Sequence, residues 1–115
     1  MVMKKKKNYL DINGIRFSCE NNDLEEILNK KMVVYMLSFE DNSCYIGKTE
    51  RTLLSRLGEH CTNLGRLDKP RVAKINKFKS FNVSIITGAS TGPKLLKKES
   101  ICIKTARELG YDVLN

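Results

Sequence analysis

The sequence predicts a small α+β domain. Its centre is a three-stranded antiparallel sheet flanked by helices, preceded by a β-hairpin and a short helix. Three observations carry this prediction. Segments rich in β-branched and aromatic residues ("MVVYMLSF", "CYIG", "FNVSIIT") are interleaved with segments of helical periodicity. The turn signals Asn13-Gly14 and "EDNS" each join neighbouring strands closely enough for antiparallel pairing. Finally, 115 residues, 41% of them hydrophobic and 30% charged, suit one domain with a modest core.

In chain order, residues 1 to 7 read as a disordered basic tail. "NYLDINGIRFSC" alternates about Asn13-Gly14 as a hairpin. Asp23 is placed to cap "LEEILNKK", whose acids lie in the first turn and lysines in the last. "MVVYMLSF" is a buried strand, "EDNS" its turn and "CYIG" the return strand. A helix is expected over about Thr52 to Leu64, ending near Gly65. "KPRVAKINKF" forms a second helix after Pro70, "FNVSIIT" a third core strand, and a long helix runs from about Lys94 to Leu109, where Gly110 stops it. Residues 1–31 thus form a tail and extension, and 32–115 the principal domain.

Lys and Arg number 21 against 13 Asp and Glu, a net charge of +8. That balance favours an anionic partner, nucleic acid first. No apolar run approaches the roughly 20 residues that span a bilayer, and no apolar stretch follows the basic start as in a secretory signal. Cys19, Cys44, Cys61 and Cys102 lack C-x-x-C spacing and fit reduced core thiols in a cytoplasmic protein. With one histidine and no cysteine pair, a structural zinc site is not expected.

"SCYIGKTERTLLSRLGEH" contains Gly47-Lys48-Thr49, which ends like a phosphate-binding loop. Such a loop needs a glycine five residues earlier so that backbone can wrap the phosphates, and that position is Asn42. Nucleotide binding is therefore not expected, and Gly47 reads as the exit from a strand toward a helix. On that helix Leu53, Leu57, Cys61 and Leu64 share one arc. Arg56 and His60 lie one turn apart on its border, half-shielded and suited to a phosphate oxygen. The alternative is an ordinary amphipathic helix with a snorkelling Arg and a hydrogen-bonded His.

On the last helix Leu95, Leu96, Cys102, Ile103, Ala106 and Leu109 cluster into an apolar stripe, and Glu99 falls inside it. A carboxylate there is costly unless a metal, a cation or hydrogen bonds meet it. A buried salt bridge, for example to Arg56, is the alternative.

"VVY" at 33–35, "YIG" at 45–47, Arg56, His60 and Glu99 together resemble the GIY-YIG nuclease superfamily over residues 32 to 115. "YIGKT…R…H" is the most specific part. Val33-Val34 departs from the family's Gly-Ile, and Asn115 resembles an asparagine that often follows the family's last helix. The resemblance implies a phosphodiesterase site and a divalent-metal-dependent DNA endonuclease using Mg2+ or Mn2+. Glu99 would hold the metal and Arg56 the scissile phosphate. Tyr35 would help activate water directly or through a neighbour, Tyr45 would contact phosphate or nucleophile, and His60 would support proton transfer or orientation. Lys48 could assist at the phosphate. Chemically, a Tyr whose pKa is lowered by a cation can act as base despite its ordinary value of about 10.

For both hydroxyls to reach one site, the connection between the two strands must hold an odd number of residues or contain a bulge, because facing alternates along each strand. Arg66, Lys69, Arg71, Lys74, Lys77 and Lys79 follow as a basic run suited to the backbone of double-stranded DNA. RNA shares the same charge footprint. Abundant Lys, Asn and Ile suit the A+T-rich coding of a phage or mobile element. The competing class is a non-catalytic, nuclease-like module that grips nucleic acid or occupies a host protein; its mark would be a Glu99 locked into a salt bridge.

Overall fold

The computed structural model describes residues 8–20 and 24–115. The basic tail and the Asp23 cap lie outside the described residues. Element order is β1 (Tyr9–Ile12), β2 (Ile15–Ser18), α1 (Leu24–Leu28), β3 (Val33–Ser38), β4 (Ser43–Thr49), α2 (Leu53–Thr62), α3 (Pro70–Phe78), β5 (Ser80–Gly88), α4 (Gly92–Glu108) and β6 (Asp112–Val113). The class is α+β, as expected.

The sheet is larger than the sequence suggests. It has six strands in the order β1-β2-β5-β3-β4-β6. The expected antiparallel trio, β5-β3-β4, is its centre, but β2 joins β5 in parallel and β6 joins β4 in parallel. Both additions are non-local pairings that no local pattern encodes. The hairpin turns through Asn13 (φ 53°) and Gly14 (φ 78°), the left-handed pair that a two-residue connection requires. Its strands then add to the main sheet, and Ile15 and Phe17 are fully enclosed in the main core.

Helix ends follow side-chain chemistry. Thr52 caps α2, accepting from the Ser55 N–H at 3.2 Å, and the helix stops at Thr62 rather than Leu64. Pro70 opens α3, and Lys79 closes it in the left-handed region at φ 55°. Thr91 caps α4, whose helical residues begin at Gly92, and Gly110 at φ 90° terminates the helical path.

The two faces of the sheet are covered unequally. Tyr35, Leu37, Phe17, Phe81 and Val83 lie beneath α1, α2 and α3, with Leu53, Leu57 and Ile75 descending onto them. On the other face Val34 and Ile46 pack with Leu95 of α4, flanked by half-buried Cys102, Ile103 and Ala106. Leu96 and Leu109, expected in the apolar stripe of α4, are 53% and 72% exposed. Helical periodicity locates a stripe but not the width of the surface that covers it. No described helix is long and apolar enough to cross a membrane.

Candidate active site

The β3–β4 hairpin sets the site. Phe39 N–H bonds to Ser43 C=O at 2.9 Å, closing a three-residue connection, Glu40 to Asn42, with Asn42 at φ 67°. The number of connecting residues is odd, as the shared role of the tyrosines requires. Tyr35 therefore lies opposite Gly47, and Tyr45 opposite Leu37, all on one face.

Gly47 is not the strand exit that the sequence suggested. It sits inside β4, and a Cβ there would come within 2.6 Å of Tyr35 Oη and 2.7 Å of its Cζ. Glycine is needed because the Tyr35 ring lies across the backbone at that position. Val33 and Val34 are both buried in β3, so replacing the first two motif residues leaves the Tyr35 register intact.

Tyr35 is fully enclosed, and its Oη lies 2.6 Å from Nε2 of His60. His60 is only 4% exposed, so it is a core residue rather than the half-shielded border residue expected. Burial, then the charges of Arg56 and Arg71, push the His60 imidazole down to about 3, keeping it neutral. The expected lowering of the Tyr35 pKa is reversed. Burial first, and Tyr45 second, raise it well above the ordinary phenol value, outweighing Arg56 and Arg71. Tyr35 and His60 are thus held as a neutral hydrogen-bonded pair enclosed in the core. Tyr45 is half-buried, its ring edge-on to His60 with centroids 5.6 Å apart.

The α2 helix that carries Arg56 and His60 is tethered at both ends. Leu53 N–H bonds to Lys30 C=O at 2.9 Å, and Asn13 Nδ2 from the hairpin tip bonds to Cys61 C=O at 2.9 Å. Arg56 does not pair with Glu99. Its Nη1 donates to Glu59 Oε2 at 2.8 Å, and Arg51 bonds the other Glu59 oxygen. The Arg56 hydrogen bond first, with Arg51 adding to it, holds Glu59 below the usual carboxylate range. The reading from sequence alone passed over Glu59 and Arg51; the i, i+3 spacing of Arg56 and Glu59 was the available signal.

Glu99, half-buried on α4, makes no hydrogen bond or ion pair among the described residues. Burial raises its pKa, while Lys48 and Arg56 act against that rise. Lys48 belongs to the β4 face that α4 covers, and Arg56 to the helix over the opposite face. Glu99 therefore feels cations from both sides of the sheet. Among the described residues no three His, Cys, Asp or Glu side chains converge as a closed metal cage.

The basic run divides. Arg66 pairs with Asp68, and Lys74 with Asp41 of the β3–β4 turn. Lys74 first, then Ser43, hold Asp41 well below the carboxylate range. Lys69, Lys77 and Lys79 are exposed, the Lys77 ammonium lying 5.2 Å from the Phe78 ring centroid. Arg71 turns inward, to Tyr45. Asn115 lies at the sheet edge, its side chain accepting from Ile46 N–H at 2.9 Å and donating to Ile46 C=O at 2.6 Å.

The structure thus brings Tyr35, Tyr45 and His60, residues on which the family resemblance rests, into contact, with Arg56 beside Tyr35. The family model described as the GIY-YIG catalytic domain matches residues 31–112, more than half of the chain. The chain belongs to the GIY-YIG nuclease superfamily. No curated protein and no solved structure matches it. Membership points to a nuclease and implies a nucleic acid substrate, and the matched segment includes Tyr35, Tyr45, Arg56, His60 and Glu99.

Proposed function

We propose that this GIY-YIG protein is a divalent-metal-dependent endonuclease that hydrolyses DNA phosphodiester bonds. One observation carries the reading: Glu99 is a half-buried carboxylate with no hydrogen bond among the described residues, beside Lys48 and the Arg56 that also neighbours Tyr35. A carboxylate partly withdrawn from water and left unpaired is unfavourable by itself. The non-catalytic alternative calls for a Glu99 bound into a salt bridge, which these neighbours do not provide.

The residues fit a hard cation such as Mg2+ or Mn2+. Mg2+ keeps several waters and takes one or two carboxylates plus substrate phosphates, so one glutamate without a closed cage suits it. Bound at Glu99, the ion supplies a Lewis acid for a phosphoryl oxygen. Arg56 binds the scissile phosphate, neutralising charge that grows in the transition state. Glu59 and Arg51 keep the Arg56 fork extended until phosphate replaces the carboxylate. Tyr45 offers its hydroxyl to phosphate or nucleophile. His60, neutral and 2.6 Å from Tyr35, fixes the enclosed phenol by a hydrogen bond and sets its ring edge-on to Tyr45, so that Tyr35 acts through its neighbour. Lys48, Lys69, Lys77 and Lys79 hold the flanking backbone by charge, without reading bases.

The test is incubation of supercoiled plasmid with wild-type protein and Glu99→Gln, in Mg2+ or Mn2+ and in EDTA. Nicking or linearisation by wild type in metal, lost by at least about 100-fold in the variant, is expected. Equal DNA binding by both proteins with no cleavage in any metal overturns the enzyme in favour of a binding module. Cleavage of RNA but not of plasmid overturns the DNA assignment.

A further inference from the structure

Arg71 stands apart from the other cations of its run. It occupies the second position of α3, and its Nη1 donates to Tyr45 Oη at 3.2 Å, while the guanidinium carbon lies 4.9 Å from the centre of the same ring. Its Nε is buried with no acceptor. A cation kept only to meet a DNA backbone has no reason to turn toward the sheet and leave a donor unmet. Lys74, one turn on, locks α3 to the turn of the β3–β4 hairpin through Asp41, so the helix that aims Arg71 is fixed against the strand pair that carries Tyr45.

A phenol hydroxyl has one proton to give and two lone pairs. A guanidinium is always a donor, and it repels the hydroxyl hydrogen. With Arg71 on the lone-pair side, the Tyr45 O–H must point elsewhere. We propose that Arg71 is a positioning residue of the phosphodiester site, fixing Tyr45 as a hydrogen-bond donor to a phosphate oxygen of the substrate. The inference rests on the nuclease reading and separates the two tyrosines. Tyr35 is held in its hydrogen bond with His60, whereas Tyr45 is a polarised donor and not a base.

A double-mutant cycle on DNA affinity, measured in EDTA with one duplex oligonucleotide, tests this apart from cleavage. Arg71→Gln and Tyr45→Phe are each expected to weaken binding by about 10- to 100-fold, the range for a hydrogen bond involving charge. The double variant should bind no worse than the weaker single variant. Lys77→Gln, a solvent-facing control, should lose a smaller, salt-dependent factor that multiplies with Tyr45→Phe. Arg71→Lys, which keeps a donor and the charge, should recover most of the affinity, a rescue that a merely structural role would not show. If Arg71→Gln does not fold, Arg71→Lys and Arg71→Met complete the cycle.

Multiplying losses for Arg71 and Tyr45, or an Arg71→Gln affinity equal to wild type, overturns the inference. Coupled binding without plasmid cleavage leaves it standing and instead overturns the nuclease reading. Wild-type protein that neither binds nor cleaves overturns both.

Discussion

On one face of the sheet Phe17, Tyr35 and Leu37 lie with no exposure beneath three helices, whereas on the other α4 alone closes over Val34 and Ile46 and leaves Leu96 and Leu109 in water. The same strands supply both faces, so the difference comes from what covers them. The deep face encloses a tyrosine and a histidine and keeps both neutral. The shallow face leaves a glutamate unpaired within reach of two cations. A fixed tyrosine–histidine hydrogen bond needs set distance and exclusion of water, whereas a site for a hydrated ion and a bulky polyanion needs access. The contrast in packing thus matches the contrast in proposed chemistry.

The largest test of that contrast is truncation on each side. Phe17→Ala should cost about 3–5 kcal/mol of unfolding free energy, the usual range for an enclosed aromatic. Leu95→Ala should stay near the low end for leucine, about 2 kcal/mol, because a thin cover can collapse into the space. Urea melts measure both, and equal losses would show that the two faces are held alike.

Next is Gly47→Ala, which forces a methyl group against the enclosed Tyr35 ring. A loss toward the upper end of the overpacking range, about 1–3 kcal/mol, is expected by thermal or urea melting. A smaller loss in a Tyr35→Leu background would locate the strain at that ring. Equal losses in both backgrounds would place it elsewhere in β4.

Acid separates the faces in another way. The folded pKa of His60 lies below its unfolded value of about 6.5, so its contribution is complete above that pH and is lost as pH falls toward about 3. Relative to His60→Gln, wild type should lose about 2 kcal/mol between pH 7 and pH 5, at about 1.4 kcal/mol per pH unit below 6.5. Parallel stability curves for the two proteins would mean that the imidazole takes up its proton without leaving the core. The smallest effect is expected at the shallow face, where Leu109→Ser should change stability by no more than about 0.5 kcal/mol.

Local patterns disclosed much of this arrangement. Asn13-Gly14, Pro70 and Gly110 each act on their own backbone, so their effects could be read in place. The shared facing of Tyr35 and Tyr45 followed from strand parity and a three-residue connection. The remainder depended on partners distant in the chain. The two-residue β6 has no strand signal of its own and exists because Cys44 accepts from Leu114. The purpose of Gly47 lies twelve residues away in the Tyr35 ring. Arg71 looked like its lysine neighbours because spacing along α3 does not say which way that helix leans on the sheet. Glu59 drew no notice in the sequence because its worth lies in the two arginines it bridges.

The side-chain amide of Asn115 has a consequence beyond the phosphate site. It takes both outward-facing backbone groups of Ile46, completing the ladder that β6 begins. One carboxamide thus stands where another chain could dock strand to strand, and shields the bare flank beside "YIG" from self-association. Replacing it with alanine would leave the fold's interior untouched and uncap a template for oligomers, so light scattering would register the damage before melting did.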